Sequence, residues 1–338
     1  MSRYVVIGAG AIGGGLGGRL VQHGLEAVLV ARGEHAAAMA EHGLRLRSPE
    51  EDIVLDVPSA SGPDDVRLAP DDVLVLATKA QQAIAALTQW ADVPVYRGGT
   101  AVGTAGELLP ICTALNGVAS ESMAARYFAR VIGVCVWVPA IHLRPGEVML
   151  RSAPRSGMFH LGSYPAGDRD AALLAGIRDD WTKATFKVSL PADVMPWKYR
   201  KLIDNVGNCF QALIGRNGDY RPLVAATRAE AREVLTRAGI AFTSDEDEAA
   251  ARADSFVVHP VPGEPEELGG SSWQSLTRAT GSIETDYLNG EIALIARQHG
   301  LSAPINAKIA SIARVAAATR QRPGGVSADE IRTRLGLA

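Results

Sequence analysis

Three polar side chains recur at helical spacing in the second half of the chain: Lys201, Asn205 and Asn208. Lys201 and Asn205 are four residues apart and Asn208 is seven residues from Lys201, so a helix presents all three on nearly the same side. A lysine beside two amides is suited to hold an anionic or carbonyl oxygen. A solvated helix face has the same spacing, so both interpretations stay open on the pattern alone.

A glycine-rich stretch at the start of the chain carries a second chemical pattern. Residues 4–7 form an apolar run typical of a buried strand, and the apolar spacing from Ala11 onward suits a helix. Gly8, Gly10 and Gly13 therefore fall in the turn between them, where α/β proteins bind a dinucleotide pyrophosphate. A glycine-rich turn of another kind of α/β protein is the alternative, and a second strand-like run at the expected distance argues against it.

Three residues that follow predicted strands are candidate contacts of such a dinucleotide. In this fold, an acidic residue at the end of the second strand selects NAD, whereas an arginine there accommodates the 2′-phosphate of NADP. This chain has Arg32 at that position, which favours NADP(H). Glu34 nearby, or a merely solvated arginine, leaves NAD open. Lys79 and Asn116 follow further strands at the edge where parallel sheets bind ligands, and Asn116 suits a nicotinamide ribose or a substrate hydroxyl. A surface lysine and a common Asn-Gly turn explain them equally well.

A pair of serines and a later carboxylate form another candidate group. Ser271 or Ser272 suits a helix cap, and Glu284 suits an acid on a helix surface. Their spacing alone assigns them no chemistry.

Composition and charge narrow the class of function. A chain of 338 residues is long enough to form two domains. Its composition, 47% hydrophobic and 21% charged residues, excludes a disordered or collagen-like protein. Net charge is −3 with both signs interspersed, which gives no basic face for nucleic acid and no basic amphipathic stretch for a membrane. Small-molecule chemistry is therefore the expected function.

Cysteine usage and the N-terminal segment indicate the compartment. Cys112, Cys135 and Cys209 are too widely spaced for a metal site and predict buried, reduced thiols, with no metal bound. We see no cleavable leader and no apolar run of membrane-spanning length, so we expect a cytoplasmic protein.

Alternating strands and helices predict an α/β fold, with a Rossmann-type doubly wound sheet in a dinucleotide-binding domain, residues 1–190, and an all-α substrate domain, residues 191–338. In the first domain we expect residues 147–150 and 158–161 to form an antiparallel pair. The helices expected in the second domain are residues 195–214, 223–238, 271–299 and 307–318. Residues 243–268 predict a mobile loop, either a lid or a solvated connection. The long helices are compatible with a homodimer.

These motifs, in their order and spacing, resemble the ketopantoate reductase family over nearly the whole chain. The matching stretches are Gly8-Ala9-Gly10-Ala11-Ile12-Gly13, Arg32-Gly33, Thr78-Lys79-Ala80, Leu115-Asn116-Gly117, Trp197-Lys198, Lys201-Leu202, Asn205, Ser271-Ser272 and Glu284-Thr285-Asp286-Tyr287-Leu288-Asn289-Gly290.

The resemblance implies roles for individual residues. It places the catalytic lysine at Lys201, its carboxylate partner at Glu284, and substrate-binding groups at Asn205 and Ser272. Lys79 and Asn116 match the crevice lysine and asparagine of the family. The expected cofactor contacts are Gly8, Gly10, Ala11, Ile12, Gly13, Arg32, Lys79 and Asn116. Asn116 and Asn208 are also expected to bind the substrate.

One position departs from the family pattern. The second helix asparagine of the family is Cys209 here, and Asn208 sits one place earlier. On a helix this rotates the amide by about 100°, although it stays near the Lys201 side. The departure leaves the substrate less defined than the reaction class.

The reaction implied by the resemblance is the reduction of a small 2-keto acid, and ketopantoate is the favoured substrate. NADPH along the glycine turn would deliver hydride to a ketone carbon between the domains, while Lys201 stabilises or protonates the alkoxide and Glu284 orients the ammonium. A related reductase of another ketone or imine is the alternative that Cys209 keeps open. A non-catalytic dinucleotide-binding regulator is the second alternative, and the presence of both Lys201 and Glu284 argues against it.

Overall fold

The computed structural model describes residues 2–215, 218–253, 255–265 and 269–337. The chain forms two compact units, and each is made of more than one segment. The first unit comprises Met1–Leu115, Ser120–Val194 and Ala249–Glu266; the second comprises Asn116–Ala119, Met195–Glu248 and Glu267–Ala338. The assignment of cofactor binding to residues 1–190 and of catalysis to residues 191–338 stays a prediction.

The strands lie in the first unit. They are β1 (Arg3–Ile7), β2 (Ala27–Val30), β3 (Leu44–Arg47), β4 (Asp52–Leu55), β5 (Ser59–Ala60), β6 (Asp72–Leu76), β7 (Pro94–Arg97), β8 (Thr100–Thr104), β9 (Pro110–Thr113), β10 (Arg130–Trp137), β11 (Ala140–Ile141), β12 (Glu147–Leu150), β13 (Ser152–Ala153), β14 (Gly157–Tyr164), β15 (Phe186–Ser189) and β16 (Val257–Val258).

Eight of these strands form the main sheet, in the order β15-β14-β10-β9-β6-β1-β2-β5. Every neighbouring pair is parallel except β10 with β14. The central strands are almost fully buried, which explains their continuous apolar runs. The predicted fold class, a Rossmann-type sheet followed by helices, is confirmed.

The helices are α1 (Ala11–Gln22), α2 (Gly33–His42), α3 (Ala83–Ala91), α4 (Ala105–Leu108), α5 (Ser120–Ala124), α6 (Ala171–Lys183), α7 (Met195–Asn205), α8 (Asn208–Ile214), α9 (Arg221–Arg237), α10 (Asp245–Arg252), α11 (Ser271–Thr277), α12 (Asn289–Gln298), α13 (Pro304–Ala318) and α14 (Ala328–Leu335). Short 3₁₀ turns cover Pro63–Asp65, Ala80–Gln82 and Glu284–Tyr287.

Helix α1 packs between two sheets, which accounts for glycines beyond those of the turn. A Cβ on Gly17 would lie 2.7 Å from Leu29 of β2 in the main sheet. A Cβ on Gly15 would lie 2.8 Å from Leu150 of β12, in a second sheet ordered β11-β12-β3-β4. A Cβ at either position would require the leucine side chain to move, since real Cβ atoms do not approach so closely, so glycine lets both leucines pack directly on α1.

The pairing predicted for residues 147–150 and 158–161 is wrong. Strand β12 pairs with β3 and β11, whereas β14 pairs with β10 and β15. Both strands are buried on both faces, so neither carries an alternating pattern that identifies its partner.

Two predicted helices are interrupted. Residues 195–214 form α7 and α8, which are separated at Val206 and Gly207, and residues 271–299 form α11, the 3₁₀ turn Glu284–Tyr287 and α12. Leu288, with φ −119° and ψ −88°, separates that turn from α12.

The segment that we expected to be a mobile loop, residues 243–268, contains regular structure where it is described. It includes α10 and β16, and β16 pairs with β13 through Ser152↔Val258 and Ala153↔Val257. Arg47 and Arg144 form ion pairs with Glu264, which is 8% exposed. Residues 249–265 are thus anchored on the first unit, while residues 254 and 266–268 lie outside the described part.

Among the described residues, no helix is long and apolar enough to cross a membrane. The same part of the chain has no group of three or more His, Cys, Asp or Glu side chains that could hold a metal ion. All three cysteines are buried, as predicted.

Buried His160 makes stability sensitive to acid. The side chain lies in β14 at 1% exposure, and burial together with the positive charge of Lys187 lowers its pKa to about 4. Below pH 6.5 the His160 imidazole binds a proton in the unfolded chain but stays neutral in the folded chain. The free energy of unfolding therefore falls as the pH decreases, until the pH reaches about 4. We expect a loss of roughly 3 kcal/mol across this window.

Urea unfolding of His160→Gln at a series of pH values measures this contribution. Between pH 6.5 and 4 the variant should lose less stability than the wild type. His42→Gln removes an exposed imidazole and should keep the wild-type slope. Parallel slopes for wild type and His160→Gln would contradict the assignment.

Candidate active site

The glycine turn between β1 and α1 uses its glycines in different ways. Gly8 has φ +104°, and a Cβ there would lie 3.0 Å from the backbone of Ala77 and Thr78. A Cβ on Gly13 would lie 2.0 Å from the Gly8 carbonyl oxygen, whereas one on Gly10 would meet no atom within 4 Å. Gly8 and Gly13 are therefore required by packing, and Gly10 leaves one face of the turn open.

Backbone donors converge at this turn. The N–H groups of Gly8 and Ala9 both donate to the Val30 carbonyl, at 3.0 Å each. Helix α1 begins at Ala11, so the N–H groups of Ala11 and Ile12 lie in its first turn, where no intrahelical carbonyl can accept them. Such a helix start is suited to an anion.

Arg32 and Lys79 follow strands β2 and β6, which flank β1 in the main sheet. Arg32 is exposed, has an extended backbone and directly precedes α2. Lys79 is half-buried, and its backbone N–H donates to the Gln82 side chain at 3.4 Å. Both therefore stand at the carboxyl edge of parallel strands, the edge that also carries the glycine turn.

Four of the predicted site residues form one hydrogen-bonded chain in the second unit. Lys201 Nζ donates to Asn116 Oδ1 at 2.9 Å, and Asn205 Nδ2 reaches the same oxygen at 3.5 Å. Asn208 Nδ2 donates to Asn205 Oδ1 at 3.3 Å. All four are half-buried. Although Asn116 follows a strand of the first unit, it groups with the unit that carries Lys201.

Asn208 and Cys209 follow the helix break at Val206 and Gly207 and face in different directions. Asn208 opens α8 and turns its amide toward Asn205. Cys209 is 2% exposed, packs in an apolar cluster with Phe210, and has its pKa raised to about 12 by burial. Asn208 thus supplies an amide to the chain of Asn116 and Asn205, and Cys209 belongs to the core.

A buried amide network next to this break was missed from the sequence. Asn289 Nδ2 donates to the Val206 carbonyl at 2.9 Å and to Asn306 Oδ1 at 3.1 Å. Asn306 Nδ2 in turn donates to Thr227 and Glu230, at 3.1 and 2.8 Å. Asn289 and Asn306 are at most 1% exposed, so these bonds satisfy groups that would otherwise be costly to bury. The only signal for this network in the sequence is the presence of amide side chains within apolar helical stretches.

Ser272 and Glu284, the other predicted site residues, are both buried in the second unit. Ser272 lies in α11 at 3% exposure, and Glu284 opens a 3₁₀ turn at 4% exposure. Burial lowers the pKa of the nearby Arg278 guanidinium, and the Glu284 carboxylate opposes that shift. The roles of all these residues stay predictions.

Two family models match the chain and together span most of it. "Ketopantoate reductase PanE/ApbA" matches residues 4–166, and "Ketopantoate reductase PanE/ApbA C terminal" matches residues 193–317. A 2-dehydropantoate 2-reductase of Mesorhizobium japonicum is 30% identical over 70% of this chain and 74% of its own. That of Pyrococcus horikoshii is 24% identical over 90% of this chain and 94% of its own.

Solved structures share the fold at lower identity. A PanE/ApbA family ketopantoate reductase from Ralstonia eutropha has a TM-score of 0.73 at 22% identity, covering 95% of this chain and 100% of its own. D-mandelate dehydrogenase with NADH and anilino(oxo)acetate has a TM-score of 0.76 at 20% identity, covering 94% and 99%. At these identities the likeness shows that the chain shares their fold.

Proposed function

Since this chain belongs to the ketopantoate reductase family, we propose that it reduces 2-dehydropantoate (ketopantoate) to pantoate with NADPH. It is an oxidoreductase that acts on CH–OH groups. The observation that carries the specific proposal is the hydrogen bond of Lys201 to Asn116, with Asn205 on the same oxygen. A cation held in place by amides is suited to an oxygen that gains negative charge.

The residues of the first unit fit a nicotinamide dinucleotide. Gly10 leaves room for a pyrophosphate, and the N–H groups at the start of α1 are donors for it. Arg32 is exposed where the adenosine 2′-phosphate of NADP would lie in this kind of sheet, and Lys79 adds a second cation. When bound, the cofactor supplies the hydride.

The residues of the second unit divide the remaining work. An ammonium carries three N–H groups, so Lys201 can donate hydrogen bonds to Asn116 and to the substrate ketone oxygen at the same time. It can also protonate that oxygen. Asn205 and Asn208 would orient the substrate through their amides, and Ser272 would donate a hydroxyl. Glu284 would keep the ammonium charged and oriented.

A second candidate is the reduction of another 2-keto acid or an imine. Two observations favour keeping it: Cys209 is in the core, and D-mandelate dehydrogenase shares the fold. The non-catalytic alternative is not retained, because the family is one of enzymes.

NADPH oxidation, followed by absorbance against a panel of 2-keto acids and cyclic imines, tests the proposal. Ketopantoate should give a kcat/KM at least about 100-fold above the others, since a polar site rejects ligands that leave its groups unpaired. A preference for benzoylformate, the 2-keto acid that corresponds to mandelate, would favour the second candidate. Tight NADPH binding without oxidation of any panel member would refute both.

Replacing Arg32 should shift the cofactor preference. Because hydrogen bonds to a charged phosphate are worth roughly 1.5–3 kcal/mol, Arg32→Ser should lower kcat/KM for NADPH by roughly 10- to 100-fold and leave that for NADH nearly unchanged. Arg178→Ala, which removes an exposed arginine from α6, is the matched control. A constant NADPH-to-NADH ratio in Arg32→Ser would show that another residue selects the cofactor.

A homodimer and a cytoplasmic location stay predictions. Gel filtration with light scattering measures the first.

A further inference from the structure

The ring of His35 joins three segments of the first unit. Its Nε2 lies 2.8 Å from the Ala9 carbonyl oxygen in the glycine turn, and its Nδ1 lies 2.8 Å from the Gly146 backbone nitrogen. The ring also packs on that of His142, with centroids 4.3 Å apart. His35 follows Arg32 by three residues in α2, so it is fixed close to the predicted cofactor-selecting position.

These two contacts define the tautomer of His35. The Gly146 N–H can only donate, so Nδ1 must be the acceptor and the proton must sit on Nε2. The Nε2–H group therefore donates to the Ala9 carbonyl. Burial lowers the pKa of His35, which keeps the ring neutral at neutral pH.

Holding the Ala9 carbonyl also orients the next N–H group. The bond between Ala9 and Gly10 is a trans peptide, so its C=O and N–H lie in one plane and point in opposite directions. With the oxygen turned to His35, the Gly10 N–H points away from the ring. Within the described part of the chain, no acceptor takes a hydrogen bond from Gly10 N–H, and a Cβ on Gly10 would meet no atom within 4 Å.

We propose that His35 is a positioning residue for the cofactor: by holding the Ala9 carbonyl it directs the Gly10 N–H toward the dinucleotide pyrophosphate. The inference rests on the proposed function in one respect, that a dinucleotide binds at this turn. The peptide turns about ψ of Ala9 and φ of Gly10, and Gly10 resists this rotation little because glycine has a wide choice of backbone angles. Without the His35 bond the peptide can turn over and present an oxygen to the phosphates, which repels them.

Three substitutions separate this role from simple packing. His35→Gln places an amide N–H near the position of Nε2 and keeps a donor for Ala9. His35→Asn places an amide oxygen near the position of Nδ1 and keeps the acceptor for Gly146 but loses the donor. His35→Phe keeps only the ring that packs on His142.

The measurements are the Kd of NADP⁺ by calorimetry, and kcat and the KM for NADPH with ketopantoate. We expect His35→Gln to bind NADP⁺ within about twofold of wild type, and His35→Asn and His35→Phe to bind about tenfold more weakly. The kcat at saturating NADPH should change less than about twofold in all three. Thermal unfolding checks the fold, and if the Phe variant does not fold, the Gln and Asn pair still decides.

The outcomes distinguish this inference from the proposed function. If His35→Asn binds like the wild type while His35→Gln is weakened, His35 only ties α2 to the Gly146 turn and the inference is overturned. Equal affinities in all variants overturn it too, even if ketopantoate is reduced. The expected order of affinities without any ketopantoate reduction supports the inference and removes the proposed substrate.

Discussion

Lys201→Ala should lower kcat for ketopantoate reduction by about 10³-fold and leave the Kd of NADPH within about twofold of wild type. The reason is that, in the proposed mechanism, the ammonium contacts the oxygen that gains charge during hydride transfer, whereas the predicted cofactor contacts lie on other residues. Substrate KM should rise less than kcat falls, because the interaction strengthens only as the negative charge develops.

Two controls make the result specific. Lys308→Ala removes an exposed lysine from α13 of the same unit and should leave kcat unchanged. Ethylamine added to Lys201→Ala should restore part of the activity, in proportion to the ammonium that can enter the space left beside Asn116. Wild-type turnover by Lys201→Ala would remove this residue from the mechanism.

The parts of the site that depend on short-range pattern could be predicted from the sequence. The turn of Gly8, Gly10 and Gly13 follows from a strand, glycines and a helix in immediate succession. Lys201 and Asn205 share a hydrogen-bonded group because they are one helical turn apart within α7.

The parts that depend on distant partners could not. At the break between α7 and α8, the Val206 carbonyl accepts a hydrogen bond from Asn289, which lies 83 residues further along the chain. A Val-Gly pair alone does not end a helix, so the sequence around the break does not predict it. The pairing of β12 with β3 likewise joins residues about 100 positions apart that no local signal connects.

The role of His35 could not be predicted from the sequence for a related reason. On the sequence it is one histidine among seven, in an alanine-rich helix with no motif around it. Its contacts come from Ala9, 26 residues before it, and Gly146, 111 residues after it. Only the three-dimensional arrangement gives its ring a fixed tautomer and a place at the glycine turn.

Gly13→Ala should destabilise the first unit by at least about 3 kcal/mol. The added Cβ would lie 2.0 Å from the Gly8 carbonyl oxygen and 2.9 Å from side-chain atoms of Val6 and Ala77. A backbone oxygen cannot swing aside as the end of a long side chain can, so α1 must move away from β1. Thermal unfolding should show a lower midpoint, and NADP⁺ affinity should fall with it because the turn is displaced.

Gly10→Ala is the matched comparison at the same turn and should separate stability from binding. Gly10 has φ −71°, which alanine adopts freely, and its added Cβ would meet no atom within 4 Å. Stability should therefore stay within about 1 kcal/mol of wild type. The methyl group would stand on the open face, where the pyrophosphate must approach the backbone, so NADP⁺ affinity should fall at least about tenfold.

Gly176→Ala in α6 is a further control, because it replaces an exposed helical glycine far from the glycine turn in sequence. We expect this change to raise the free energy of unfolding by about 0.5–1 kcal/mol. If Gly13→Ala were as stable as Gly10→Ala, the close approach of α1 to β1 would not be what requires glycine at that position. If Gly10→Ala bound NADP⁺ as well as the wild type, the pyrophosphate would have to lie elsewhere than on the face that Gly10 leaves open.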